Sequence, residues 1–404
     1  MEGSAQSYTD ISFHWVRRLS QIDSQAWDAL ARPLQTPFLE WGWLTALEDS
    51  GSIAPEHGWH PVHLTVVRGS KLVAAAPLYI KEHSEGELIF DYAWADAAYQ
   101  IGVEYYPKLV GMSPATPSPA YRFLIAPGEN EQALTELMLA EIDAFCAREG
   151  LGGVHFQYAE HNWEPAGLKR SGYQRWLHQG YEWRNPGFSC FEDYLSVFNK
   201  NQRRNIRRER ASVQDSGISV VPIEGPDMPV RMFETMYRYY EEHNAQFGPW
   251  AAKFLNRRFF LELEQRFRER LVFVAAYPPG VAAQSGDPIA LSFLVAKGPR
   301  LIGRYWGAAE WHENLHFELC YYAPIAYAIE TKRQSFDPGI GSAHKLRRGF
   351  EAVQTASLHR FRDQRMQTVM AMNIDRINMM QKQQIAMMND HIPFKKSRDG
   401  LGSA

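Results

Sequence analysis

Residues 301–360, LIGRYWGAAEWHENLHFELCYYAPIAYAIETKRQSFDPGIGSAHKLRRGFEAVQTASLHR, are where the fold is read. LIGRYWGA has the β-branched and aromatic content of a strand and stops at Gly307. LHFELCYYAPIAYAIE puts Leu315, Leu319, Tyr322, Ala326 and Ile329 at helical spacing, and Pro324 inside it is expected to kink or split the helix. The short strand QSFD leads into Pro338-Gly339-Ile340-Gly341-Ser342, followed by His344, Lys345, Arg347 and Arg348. Gly339 and Gly341 allow close backbone approach to an anion, and Ser342 can cap the helix behind them. The spacing of a Walker loop is absent. A tight strand-to-helix turn with solvated basic residues is the alternative reading.

The chain has 404 residues, enough for two domains. Its 45% apolar and 13% aromatic content supports real cores. A net charge of −3 exerts no global pull on nucleic acid or membrane, so any anion site is local. Cys146, Cys190 and Cys320 are scattered, which fits a reducing compartment and no cysteine-based zinc site. The N-terminus lacks the charge and apolar pattern of a signal peptide, and no apolar run has the length of a membrane span. A cytoplasmic location is expected.

Working outward, residues 1–10 read as a frayed end, Ser12–Leu19 as a strand, and Asp23 as the cap of a helix through Leu30. Trp41–Glu48 reads as another helix, and VHLTVV with KLVAAAPLYIKE as a hairpin. Glu131–Arg148 is an amphipathic helix, GGVHFQYAE a strand, residues 161–172 a helix, and YQRWLHQGYEWR one or two strands. From Phe188 the order repeats after an insert of helices. LVFVAAY and PIALSFLVAKG answer the first hairpin, GRYWGAAEW answers DYAWADAAY, QSFDPGI answers GVHFQYAE, and HKLRRGFEAVQTASLHRF answers the segment after residue 166. The expected domains are 1–186, 187–361 with a basic helix insert, and a Met/Gln-rich helix with a disordered tail over 362–404. The alternating elements predict an α/β chain with mixed sheets and helices on both faces.

That order is the one expected of the GNAT acyltransferase fold, which holds its acyl donor between two central strands that splay apart. FDYAWADAAY, YYPKL, NQRRNIRRER, GRYWG, LHFELCYY and the Gly-rich turn before HKLRRGF resemble a bacterial family of peptidoglycan biosynthesis or recognition, over roughly Phe38 to Arg360. That family is grouped with the Fem-type aminoacyltransferases, built from tandem GNAT-like domains. The resemblance implies an N-acyltransferase acting on an amine, with acetyl-CoA or aminoacyl-tRNA as donor and a peptidoglycan precursor as acceptor. A non-catalytic recognition module is the alternative. The GNAT pyrophosphate signature is missing after GRYWG, and Ala343 stands where the resemblance implies an acidic residue beside the histidine. No catalytic carboxylate is therefore expected at that turn.

Lys200, Arg203, Arg204, Arg207 and Arg208 fall at i, i+3, i+4, i+7 and i+8, one stripe of a helix. Their mutual repulsion would be relieved by phosphate, which arginine grips in bidentate fashion. A phosphate-bearing small molecule or precursor is the expected partner, with tRNA a further candidate; a solvated surface helix is the plainer reading. Glu318 or His316, at the start of the helix after the central strand, is expected to accept a proton from an attacking amine. Tyr305 is a candidate donor to the leaving group, Arg304 lines the cleft, and Lys345 stabilises developing charge. His344 and the turn glycines complete the ligand contacts. His312-Glu313-Asn314-Leu315-His316 matches HExxH, which on a helix would make a zinc hydrolase, but helical support before it is poor and no metal ligand is assigned. In the first half, Asp91, Trp94, Asp96, Tyr105, Tyr106 and Lys108 form an aromatic and acidic cluster suited to a sugar or peptide, or else a buried loop with satisfied acids.

Overall fold

The structure, a computed structural model, describes residues 10–161, 163, 168, 171–248, 251–283 and 285–395. The frayed N-terminus and the 161–172 helix expected above lie largely outside the described residues. In chain order the first half carries β1 (Ile11–Val16), β2 (Trp59–Pro61), β3 (His63–Arg68), β4 (Lys71–Ala76), β5 (Tyr79–Lys81), β6 (Lys108–Gly111), β7 (Leu124–Ile125), β8 (Gly153–Ala159) and β9 (Gln174–Arg184). The second half carries β10 (Ser219–Glu224), β11 (Leu271–Tyr277), β12 (Ala290–Lys297), β13 (Arg300–Ala308), β14 (Ser335–Asp337) and β15 (Glu351–Phe361).

Met1–His178, Phe254–Phe259 and Thr355–Met380 form one compact unit; Gln179–Lys253, Phe260–Gln354 and Gln381–Ala404 form the other. Where the domain ranges expected from sequence are contiguous, the chain changes unit inside β9, inside β15 and inside the C-terminal helix Gln364–Asn389. In the first unit β6 runs parallel to β8, with Leu109 opposite Val154, and β8 pairs antiparallel with the later part of β15. In the second unit β10, β11, β12 and β13 are antiparallel neighbours, β13 runs parallel to β14, and β14 pairs antiparallel with the end of β9, Phe336 opposite Trp183. Each unit thus takes a strand that begins in the other unit. Each also repeats hairpin, strand, helix and parallel strand.

Local sequence explains most elements. Asp23 accepts the Ala26 amide at 2.8 Å and starts the helix Ser24–Ala31. Asn130 does the same for Ala133 at the head of Glu131–Arg148, which buries Leu134, Met138, Ile142 and Phe145 at helical spacing. One expected correspondence is overturned. DYAWADAAY is not the counterpart of the strand GRYWG; it forms the helix Tyr92–Gln100, and β6 is the strand that pairs parallel as β13 does. Four alanines favour the helix, and Trp94 and Ala98, one turn apart, pack with Met366, Met370 and Ile374 of the C-terminal helix.

That C-terminal helix is held by two asparagines. Asn378 accepts the Leu177 amide at 2.8 Å and donates to the Arg175 carbonyl at 2.7 Å. Asn389 does the same with Ala352, at 2.7 and 3.0 Å. Each pair serves a backbone donor and acceptor that the sheet leaves over. Every fully buried Met or Ile on the helix adds ~1.5–3 kcal/mol of apolar burial. Disorder is expected from His391 onward, but the Asn199 amide donates to the Pro393 carbonyl at 3.0 Å and Phe394 bridges Phe198, so residues 391–395 are held in place; the rest of that segment lies outside the described residues.

Candidate functional site

The second unit opens its sheet at β13. Pairing with β14 lasts three residue pairs, Arg300–Ile302 against Ser335–Asp337, while β13 continues to Ala308. A bulge interrupts the pairing with β12 between Phe293 and Leu294, where Arg304 is the extra residue. On the far side the chain turns out of β14 at Gly339, whose φ of 78° suits glycine. A Cβ there would lie 3.3 Å from the Gly303 carbonyl oxygen, so the turn needs glycine for its approach to β13 as well. Beyond Ile302, β13 therefore runs on without a parallel strand partner, because β14 ends at Asp337.

The Gly-rich turn differs from the anion cradle expected of it. Lys345 is almost fully buried, and its Nζ donates to the carbonyls of Gly339 and Ile340 at 2.7 and 2.9 Å. The turn thus offers oxygens to a cation. Burial lowers the Lys345 pKa to about 8, against the pull of Asp337. Ser342 does not cap the short helix Ala343–Arg348; its hydroxyl engages His344 Nδ1 instead. The other nitrogen of His344, Nε2, lies 2.9 Å from the Tyr321 hydroxyl. Burial, then Arg348 and Lys345, lower the His344 pKa to about 4, so the imidazole is neutral at pH 7.

Of the expected proton acceptors, His316 sits among the rings of Trp306, Tyr321 and His344, at 4.8, 5.5 and 5.9 Å. Its pKa falls to about 3, chiefly through burial. Glu318 is buried and gripped by Arg210, whose Nε and Nη2 lie 3.0–3.2 Å from the carboxylate. Burial raises its pKa and Arg210 holds it back. That pairing commits the carboxylate to Arg210. Tyr305 packs against Tyr240 and Phe293 at 5.2 and 5.6 Å, and Arg304 donates to its hydroxyl at 3.2 Å.

Pro324 lacks the amide that would bond one turn back, and the helix widens into a π turn at Glu318–Tyr322 just before it. The same turn carries Glu318, Tyr321 and Tyr322. HENLH is not helical: Asn314 is left-handed at φ 62°, and the helix begins at Leu315. His312 and His316 therefore do not stand one turn apart on a helix, as the zinc motif requires. Among the described residues no cluster of histidines, cysteines and carboxylates has the form of a metal site.

The basic stripe lies on the helix Lys200–Asp215. Lys200, Arg204, Arg207 and Arg208 are exposed; Arg207 pairs with Glu192 at 2.6 Å, and Arg203 donates to the Phe198 carbonyl at 2.9 Å. The inward face carries Gln202, Ile206 and Val213, with Glu209 and Arg210 beside them. Glu209 accepts from Arg348 at 2.8 Å and from the Tyr322 hydroxyl. Arg348 lies 3.5 Å over the Phe317 ring. Arg210 was not singled out from sequence. It is legible in retrospect, since it flanks the line through Ile206 and Val213.

In the first unit Asp91, Glu87 and Lys108 are all fully buried. Lys108 gives its three protons to Ser84 Oγ, Glu87 Oε2 and Asp91 Oδ2, at 2.8, 3.0 and 2.5 Å. Burial opposes its charge, but the two carboxylates outweigh it and the pKa rises. Tyr105 also donates to Asp91, at 2.7 Å, and Tyr106 lies 2.7 Å from Ser84. Trp94 belongs to the apolar layer beside this network, and Asp96 is exposed on the outer face of its helix. Next to the network, His155 and His359 share a hydrogen bond at 2.7 Å, and Ser357 links His359 to His178 at 2.6 Å on each side. Burial first of all pushes all three pKa values down, to about 3 for His359 and about 4 for His178.

Among the described residues no helix is long and apolar enough to cross a membrane. The chain is similar to the crystal structure of FemX, with a TM-score of 0.53 at 10% identity over 88% of this chain and 99% of that one. It is also similar to a tandem GNAT protein from the clavulanic acid biosynthesis pathway, with a TM-score of 0.44 at 12% identity over 87% and 98% of the two chains. No curated protein matches it. The FemX likeness carries the fold, a mixed α/β chain with mixed sheets. Residues 18–396 match the profile of the FemAB-like family, described as peptidoglycan biosynthesis/recognition, and the chain belongs to that family.

Proposed function

We propose that the second unit transfers an aminoacyl group from a charged tRNA to an amine of a peptidoglycan precursor, in the cytoplasm. The observation that carries this reading is that β14 ends at Asp337, which leaves the edge of β13 beyond Ile302 unpaired by its parallel neighbour. A donor's amide or ester carbonyl can use that edge as a partner strand does. Coenzyme A fits less well. The segment ahead of the Leu315 helix carries Glu310 and Glu313 and lacks the glycines that let a pyrophosphate approach.

In the proposed reaction the amine nitrogen attacks the acyl carbonyl carbon, a C–N bond forms, and the ester C–O bond breaks. The proton leaving the nitrogen passes through the exposed Ser342 hydroxyl to neutral His344, which returns it by the same route to the ribose oxygen as the ester bond breaks. His344 has this role because Glu318 is engaged with Arg210. Lys345 holds the turn that carries Ser342, and Arg204, Arg207 and Arg208 offer charge to phosphates. The test is incubation of the protein with radiolabelled aminoacyl-tRNA and a nucleotide-linked muramyl pentapeptide. The expected product is heavier by one aminoacyl group. Precursor binding without transfer from any aminoacyl-tRNA or acetyl-CoA would make the protein a recognition module.

A further inference from the structure

In the second unit one guanidinium joins two helices. Arg348 closes the short helix Ala343–Arg348 and is 3% exposed. Its Nη1 donates to the His344 carbonyl at 3.0 Å, and its Nη2 donates to Glu209 at 2.8 Å. Glu209 lies on the helix Lys200–Asp215 and also accepts from the Tyr322 hydroxyl. The guanidinium lies over the Phe317 ring, whose centre is 5.6 Å from that of the His344 imidazole. A buried cation needs a counter-charge and acceptors in fixed directions. Here one acceptor belongs to His344 and the other to the basic helix.

His344 faces titratable or charged groups from each element around it. Arg348 and Lys345 are on its own helix, and Glu209 is on the helix Lys200–Asp215. His316 and Tyr321 face it from the helix that begins at Leu315 and the π turn behind it. After burial, Arg348 has the largest effect and disfavours the imidazolium; Lys345 adds to it, and Glu209 opposes both.

We propose that Arg348 is the positioning residue for His344, and that Glu209 holds Arg348 in that place. The inference rests on the transfer reaction proposed above. The bond to the His344 carbonyl fixes where the imidazole stands, between Ser342 and Tyr321. The neighbouring cation keeps the ring neutral and able to take a proton. Glu209 shares its helix with Arg204, Arg207 and Arg208 but stands beside the inward face, whereas those three are exposed. One helix thus serves the donor's phosphates on its outer side and the base on its inner side.

The test joins an NMR titration of the full chain without substrate to the kinetics of transfer from aminoacyl-tRNA. The His344 ring signal is assigned by its loss in His344→Ala, and in the native chain it should titrate at about pH 4. Arg348→Met should raise that midpoint by about 1 unit or more. It should also lower kcat about tenfold with KM for the donor unchanged. Arg348→Lys keeps a cation beside His344 and Glu209 but cannot span both acceptors, so the midpoint should stay low while kcat still falls. Glu209→Gln should lower kcat without raising the midpoint. Arg204→Gln with Arg208→Gln should instead act on KM. An unmoved midpoint in Arg348→Met, or a loss seen in KM and not in kcat, would overturn the proposal. Should Arg348→Met fail to fold, an unchanged kcat in Arg348→Lys would overturn it. No donor enters the titration, so a raised midpoint in a chain without transfer activity would support the positioning and overturn only the reaction.

Discussion

Lys108 in the first unit and Lys345 in the second are both almost wholly removed from water, 0% and 2% exposed. Their partners differ. Lys108 faces two buried carboxylates and a hydroxyl; Lys345 faces two neutral backbone carbonyls. The first pKa is raised and the second lowered to about 8. Burial acts against both cations, so the charge of the partner decides whether the proton is locked on or held loosely. The first unit uses its lysine to neutralise a polar core. The second uses its lysine to shape a turn beside an opened sheet.

The largest test of this contrast is Lys108→Met. It removes the counter-charge that the buried Asp91 and Glu87 both contact and should cost about 3–5 kcal/mol of stability in denaturant unfolding. His344→Ala should lower the transfer rate about 100-fold with little change in melting temperature. An equal loss of stability would make His344 part of the scaffold, as Lys108 is. Lys345→Met strands two carbonyls and no charge, and about 1–3 kcal/mol is expected. A cost matching that of Lys108→Met would break the comparison.

Titration sharpens it further. Buried imidazoles with lowered pKa values bind protons more readily in the unfolded chain. Their contribution is complete above pH 6.5 and is lost as pH falls from there toward 4 and 3, where His178 and His359 titrate. Each adds at most about 1.4 kcal/mol per pH unit over that window. The first unit, through His155, His178 and His359, and the second, through His316 and His344, should therefore both lose stability in acid, which hydrogen exchange at pH 7 and pH 5 can read. Lys345 predicts a different window: its contribution grows as pH rises from about 8 to the ordinary lysine value, a slope that Lys345→Met should remove. The smallest effect belongs to Arg207→Ala, whose pair with Glu192 is exposed on both sides; ~0–1 kcal/mol is expected.

Elements with a complete local signal were legible in the amino-acid order. The helix Glu131–Arg148 has its asparagine cap and its apolar face, and the hairpin of β11 and β12 has its two apolar runs. The order of elements likewise pointed to a sheet that opens after its central strand. Pattern was insufficient where the deciding partner is remote in sequence. DYAWADAAY is a helix because Trp94 and Ala98 meet methionines some 270 residues away. HENLH spells a zinc motif, yet a left-handed Asn314 removes the helix it needs. The basic stripe was visible, but Arg210, outside it, is the arginine that reaches Glu318.

From the sequence alone followed the family resemblance, the α/β class, the repeated order of elements and the basic helix, because side-chain periodicity records which face of an element avoids water. Tertiary structure decided that β9 and β15 each pass from one unit into the other, that Glu318 is spent on Arg210, and that His344 sits between Ser342 and Tyr321. Those outcomes depend on which polar groups meet once water is excluded. A buried charge or imidazole takes its state from neighbours that no spacing along the chain specifies.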